Sequence, residues 1–97
     1  MKVIDVNFKN RPNEDGSITP SIVVPGCLVA NNGSPTMDRP QILIHLPKSF
    51  TEDVVGAWVD YDGHSYHVVG VSNVQMDSNT PTSWNRYAIA ERPTRRL

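Results

Sequence analysis

The stretch Ala57-Trp58-Val59-Asp60-Tyr61-Asp62-Gly63-His64-Ser65-Tyr66-His67-Val68-Val69-Gly70-Val71 decides the fold class. Two alternating runs rich in aromatic and β-branched residues flank an Asp-Gly pair. That pair tolerates the positive φ a tight hairpin turn requires. The spacing predicts strands over 57–61 and 64–71, joined at Asp62-Gly63.

Working outward, Gln41 to Pro47 places Ile42, Ile44 and Leu46 on one face and Leu43 and His45 on the other, and Pro47 closes the run. Between it and the hairpin, Ser49 to Gly56 has room for one turn of 3₁₀ or α-helix. Thr51 would be the N-cap, with Glu52 and Asp53 in the first turn where the helix dipole favours acids. Asn73 to Ser83 is polar and holds Pro81. Trp84 to Glu91 then returns to strand character, with Tyr87 and Ile89 alternating against Ala88 and Ala90.

Towards the start of the chain, Ile4, Val6 and Phe8 share one face of a half-buried strand, with Asp5 and Asn7 on the other. Lys9 to Pro20 carries two prolines and Asp15-Gly16, and reads as a loop or a loose hairpin connection. Ile22 to Val29 is apolar and β-branched but interrupted at Pro25-Gly26, where proline removes a ladder donor. It is one strand with a bend or two short strands. Asn31 to Pro40 has strong turn composition and no apolar period.

Five to six short strands, two long loops (9–20 and 31–40), a basic tail (92–97) and no amphipathic helix predict one all-β domain over 1–97. A small barrel or sandwich follows, with an SH3-like β-barrel preferred.

Composition narrows the function classes. Nine basic and ten acidic side chains give a net charge of -1, so the chain lacks the basic field that drives non-specific DNA binding. Cys27 is the only cysteine and has no internal disulfide partner. No apolar run is long enough for a signal peptide or a membrane span, so the expectation is a soluble protein made in a reducing compartment. The sequon Asn32-Gly33-Ser34 reads as loop chemistry.

His64 and His67 invite a metal-site reading, with His45 and Cys27 elsewhere. Residues three apart in a strand point to opposite faces, however, and converge only if the turn pulls His64 out of register. Cys27 in Gly-Cys-Leu-Val reads as a core position, because no local signature of a Cys-His nucleophile surrounds it. The acids Glu14, Asp15, Glu52, Asp53, Asp60 and Asp62 fall in turns and loops. No catalytic residue, metal ligand or cofactor is expected.

Three segments carry a family resemblance. Val55 to Val59 leads into Asp62-Gly63-His64-Ser65-Tyr66-His67-Val68-Val69-Gly70; Thr80-Pro81-Thr82-Ser83-Trp84-Asn85-Arg86 opens the last strand; and Pro25-Gly26-Cys27-Leu28-Val29 precedes a polar loop. Over most of its length the chain resembles bacteriophage head-closure (stopper) and head-tail connector proteins. The resemblance implies an SH3-like barrel that forms a ring of six or twelve copies at the head-tail joint of the virion, after synthesis in the host cytoplasm. The ring would lie below the portal-adaptor protein and above the tail terminator or tail tube. It would retain packaged DNA in its lumen without sequence specificity, and no membrane is involved.

In that family a loop between early strands projects into the channel. The matching positions are Asn31, Asn32, Gly33, Ser34, Pro35, Thr36, Met37, Asp38 and Arg39. Gly and Pro hinges, repeated around a ring, suit a plug that needs little side-chain chemistry. Interface candidates are Trp84, Asn85 and Arg86, of residue types enriched at hot spots, together with Arg95 and Arg96 of the basic tail. Trp84 is equally readable as a core anchor, and the tail reads first as a solvated terminus. Two other classes stay open: another connector or tail-completion protein, and a monomeric SH3-like module that binds a peptide or small ligand.

Overall fold

The computed structural model describes residues 2–32, 40–73 and 84–93. Six strands make up the fold: β1 (Lys2–Pro12), β2 (Ile18–Asn32), β3 (Gln41–Pro47), β4 (Trp58–Tyr61), β5 (His64–Asn73) and β6 (Trp84–Glu91). They close into one antiparallel barrel in the order β1-β2-β3-β6-β5-β4. The domain is all-β, as the alternation predicts, and no helix occurs among the described residues.

The Asp62-Gly63 hairpin is present. Trp58 pairs with His67 and Tyr61 with His64, and both turn residues take positive φ (52° and 79°). This is the left-handed geometry that matches the twist of the flanking strands.

The helical turn expected within 49–56 is absent. Phe50 N–H donates to the Pro47 carbonyl and Ala57 N–H to the Val54 carbonyl, giving separate turns with Val54 and Ala57 pulled into the core. One turn of helix has no cooperative gain to offset its nucleation cost, so burying two apolar side chains prevails.

Of the two readings of 9–20, a long loop or a hairpin connection, the structure has the hairpin, and most of the segment is paired strand. β1 continues to Pro12 and β2 starts at Ile18, with Lys9↔Ser21, Arg11↔Thr19 and Pro12↔Ile18 in register. Only Asn13–Ser17 turns, held by Asn13 N–H on the Ser17 carbonyl (2.8 Å) and by Asp15, which accepts from the Ser17 amide (3.0 Å) and hydroxyl (2.6 Å). Pro20 is tolerated because it lies opposite Asn10, which takes φ 55° and breaks the regular ladder there.

At 15 residues β2 is not short. It is one bent strand: the register slips between Ile4↔Cys27 and Val6↔Val24, so Pro25-Gly26 forms a bulge opposite Asp5, with Gly26 at φ 72°. Asn31 and Asn32, expected in the second loop, are the last strand residues of β2 and pair with Ile42 and Gln41.

The core is made of inward-facing Val6, Phe8, Val24, Cys27, Val29, Ile42, Ile44, Leu46, Val59, Val68, Ala88 and Ala90, joined by Val54, Ala57 and Tyr66. Ala88 and Ala90 are small where β6 faces the bulkier Ile42 and Ile44 of β3. This is the large-against-small complementarity that fills a narrow barrel.

Topology sorts the connections between two mouths. The first mouth holds the start of β1, the Asp62-Gly63 turn, the points where the chain leaves β2 and enters β3, and the end of β6. Opposite it, the second mouth holds the Asn13–Ser17 turn, the 48–57 connection, the end of β5 and the start of β6.

Candidate functional site: the outer wall and the two mouths

In a strand, alternate side chains face outward, and pairing registers align them in rows around the barrel. On β2, β3 and β6 the outward rows are apolar apart from His45. Pro47 pairs with Trp84; Leu28 pairs with His45 and His45 with Tyr87; Ala30 pairs with Leu43 and Leu43 with Ile89. Val3 extends the middle row through Leu28 and is 58% exposed, and Val69 stands beside the patch in the β5 bulge at 47%.

Such a wall is unusual for an antiparallel sheet, whose outer face is commonly polar. His45 and Tyr87 put their rings 5.7 Å apart, and burial among these neighbours holds the His45 imidazole below histidine's ordinary value. A polar row ends the wall at the first mouth, where the Gln41 amide donates to the Glu91 carboxylate at 2.7 Å.

The opposite side differs. Asp5, Asn7 and Lys9 of β1, Ser21 of β2, Asp60 of β4 and Ser65 of β5 face outward there. Lys9 and Ser65 both donate to the Asp60 carboxylate, and the hydrogen bond from Lys9 is the first cause that lowers its pKa. Trp58 stacks on His67 across the β4–β5 ladder (4.6 Å).

The site residues expected from the sequence divide between the mouths. Asn31 and Asn32 end β2 at the first mouth, while Gly33 to Arg39 lie outside the described residues. Arg92 N–H donates to the Pro40 carbonyl at 2.9 Å, so the basic tail departs beside the residue that follows the 33–39 segment. Arg95 and Arg96 lie outside the described residues.

Trp84 and Arg86 belong to the second mouth, and both are used inside the fold. The Trp84 indole N–H donates to the Gly26 carbonyl (2.9 Å), tying β6 to the β2 bulge past Pro47. Arg86 donates to the Phe50 (2.8 Å) and Glu52 (3.2 Å) carbonyls and lies over the Phe50 ring at 5.8 Å. It fastens the 48–57 connection. Asn85 is the extra residue where the register slips between Leu46↔Arg86 and Pro47↔Trp84.

Cys27 is fully buried in the core, and burial, assisted by the Asp5 carboxylate, pushes its thiol up to about 11. A thiol held protonated in this way is a poor nucleophile at neutral pH. His64 and His67 lie in β5 with His67 against Trp58; among the described residues no group of three His, Cys, Asp or Glu side chains converges for a metal.

The apolar outer wall was missed by strand assignment, though it left a signal. Apart from His45, Ile42-Leu43-Ile44-His45-Leu46 and Tyr87-Ala88-Ile89-Ala90 carry apolar or aromatic residues on both faces, the mark of a strand covered on both sides.

No protein-family model, curated protein or solved structure matches this chain.

Proposed function

We propose that this protein is a structural assembly subunit: a head-to-tail stopper whose SH3-like barrels associate into a ring below the portal and adaptor, hold packaged DNA and dock the tail. The carrying observation is the outer wall of β2, β3 and β6, where the half-buried Leu28, Ala30, Leu43, Tyr87 and Ile89 are aligned outward with no charged residue among them. Covering apolar surface contributes about 25 cal/mol per Å², so a wall of this composition favours association with another protein surface.

The resemblance in the Asp62-Gly63 hairpin, the Thr80–Arg86 segment and the Pro25–Val29 segment supplies the kind of assembly. A ring also suits the loop positions. Residues 33–40 join the paired residues Asn32 and Gln41 beside a mouth, and eight residues reach out and back by at most about 14 Å. Many copies of so short a segment, directed at one axis, narrow a channel that a single copy leaves open.

The test uses DNA-filled, portal-containing heads. Adding the full chain is expected to retain DNA, whereas a variant with residues 33–39 replaced by a two-residue turn joins the connector but leaks DNA. Retention that is undiminished with the shortened loop contradicts the channel role.

A further inference from the structure

The barrel is closed unevenly. β3 and β6 pair along their whole length, whereas β1 and β4 share one described pair, Lys9↔Trp58. From Lys9 towards the first mouth, the edges of β1 (Ile4 to Asn7) and β4 (Val59 to Tyr61) diverge around a cleft of about 280 Å³. Its floor is the core itself, Val29, Ile42 and Ile44. Its walls include Ile4, Val6, Val59 and Tyr61, and Asp5, Asn7 and the Lys9–Asp60 ion pair stand at the rim.

Two strand edges flanking an opening into apolar side chains form a receptor for an extended segment. Unpaired backbone groups offer main-chain hydrogen bonds, and the cleft takes a side chain. The rim charge is acidic: Lys9 is matched by Asp60, which leaves Asp5 and the adjacent turn residue Asp62 in excess. The segment after Pro93 has the complementary chemistry, Arg95-Arg96-Leu97, two cations followed by an aliphatic side chain.

Barrel order decides which copy provides it. In β1-β2-β3-β6-β5-β4, strand β6 lies three strands from β1 in either direction. The tail starts at Pro93, beside Pro40 on the β3 side, and Leu97 lies at most about 14 Å of chain beyond it. In the ring proposed above, a subunit whose β3–β6 side meets the β1–β4 side of the next would bring its tail to the neighbour's seam at the same mouth.

We infer that the β1–β4 seam binds the Arg95-Arg96-Leu97 segment of a second copy, with Leu97 in the cleft and the arginines on Asp5 and Asp62. This inference rests on the ring reading, because it needs a head-to-tail neighbour. It makes the tail a strap that links each subunit to the next and completes the weak side of the barrel.

The experiment mixes full-length Asn7→Cys protein with full-length Arg96→Cys protein under mild oxidation; the native Cys27 is buried and stays silent. A disulfide between the two proteins is expected, and it should be lost in a D5K/D62K background whose circular dichroism matches the parent. Assembled rings without that cross-link overturn the seam contact and leave the ring reading standing. A double variant that closes within one chain overturns the choice of a second copy. Cross-linked rings that fail to bind the portal vertex support the seam contact while removing the stopper role.

Discussion

The wall of β2, β3 and β6 and the wall of β1 and β4 enclose the same core but meet their surroundings with opposite chemistry. Inside, both contribute fully buried aliphatic or aromatic residues, Ile44 and Leu46 on one side and Phe8 on the other. Outside, the first offers Leu28, Leu43, Tyr87 and Ile89, and the second Asp5, Asn7, Lys9 and Asp60. Folding requires only the inner faces to be apolar. An outer face with continuous apolar rows is therefore evidence of a second contact, whereas on the other side the exposed Val23 and Trp58 stand singly among polar neighbours.

The comparison breaks most severely from inside. Ile44→Ala removes a side chain with no exposure from the best-paired part of the barrel, and a loss of about 2–5 kcal/mol is expected in chemical denaturation. A domain whose whole stability is about 5–15 kcal/mol would show this as a large fall in midpoint. Its outward neighbour Leu43 should behave differently: the L43K/I89K variant is expected to lose self-association in sedimentation while the monomer stays folded. Unfolding of that variant would mean that the outer wall serves the barrel alone.

A smaller effect is expected where the polar wall meets the 48–57 connection. Gly56 has φ 89°, and a Cβ there would come within 2.6 Å of Pro12 Cγ. Gly56→Ala should cost about 1–3 kcal/mol by straining the left-handed backbone and displacing β1. Thermal melts would measure it, and hydrogen exchange should rise first around Pro12.

Acidification separates the walls by charge. Burial keeps the His45 ring neutral in the folded protein more than in the unfolded chain. This contribution to stability is present above histidine's ordinary value of about 6.5 and is lost as the pH falls through it towards the lower folded value. Association through the apolar wall should weaken over the same range. His45→Gln should flatten that dependence, and an unchanged profile would remove His45 as its cause. The Lys9–Asp60 pair gives the smallest effect. Both partners are exposed, so Lys9→Gln should barely move the melting temperature while speeding exchange at the β1–β4 seam.

Legibility from sequence followed the core. Ile4, Val6 and Phe8, the Ile42-Ile44-Leu46 face and the Asp62-Gly63 hairpin were readable because alternation and turn chemistry are local signals. The strand pair of Lys9–Pro12 with Ile18–Pro20 was not, because it lies beyond the main core, where its side chains, including Arg11 and Thr19, face each other and solvent without an apolar alternation. Trp84 and Arg86 read as interface candidates, and Trp84 also as a core anchor, but what they grip, the Gly26, Phe50 and Glu52 carbonyls, lies 34 to 58 residues away in the chain. The seam was equally hidden: a cleft between the second strand edge of β1 and that of β4 depends on which distant strands fail to pair.

The assembly itself is tested most directly by electron microscopy of portal-containing heads incubated with the purified protein. A ring of barrels at the portal vertex, with the β2–β3–β6 walls buried between neighbouring subunits, is the predicted result. Heads with a bare portal vertex, alongside protein that stays monomeric, would contradict it.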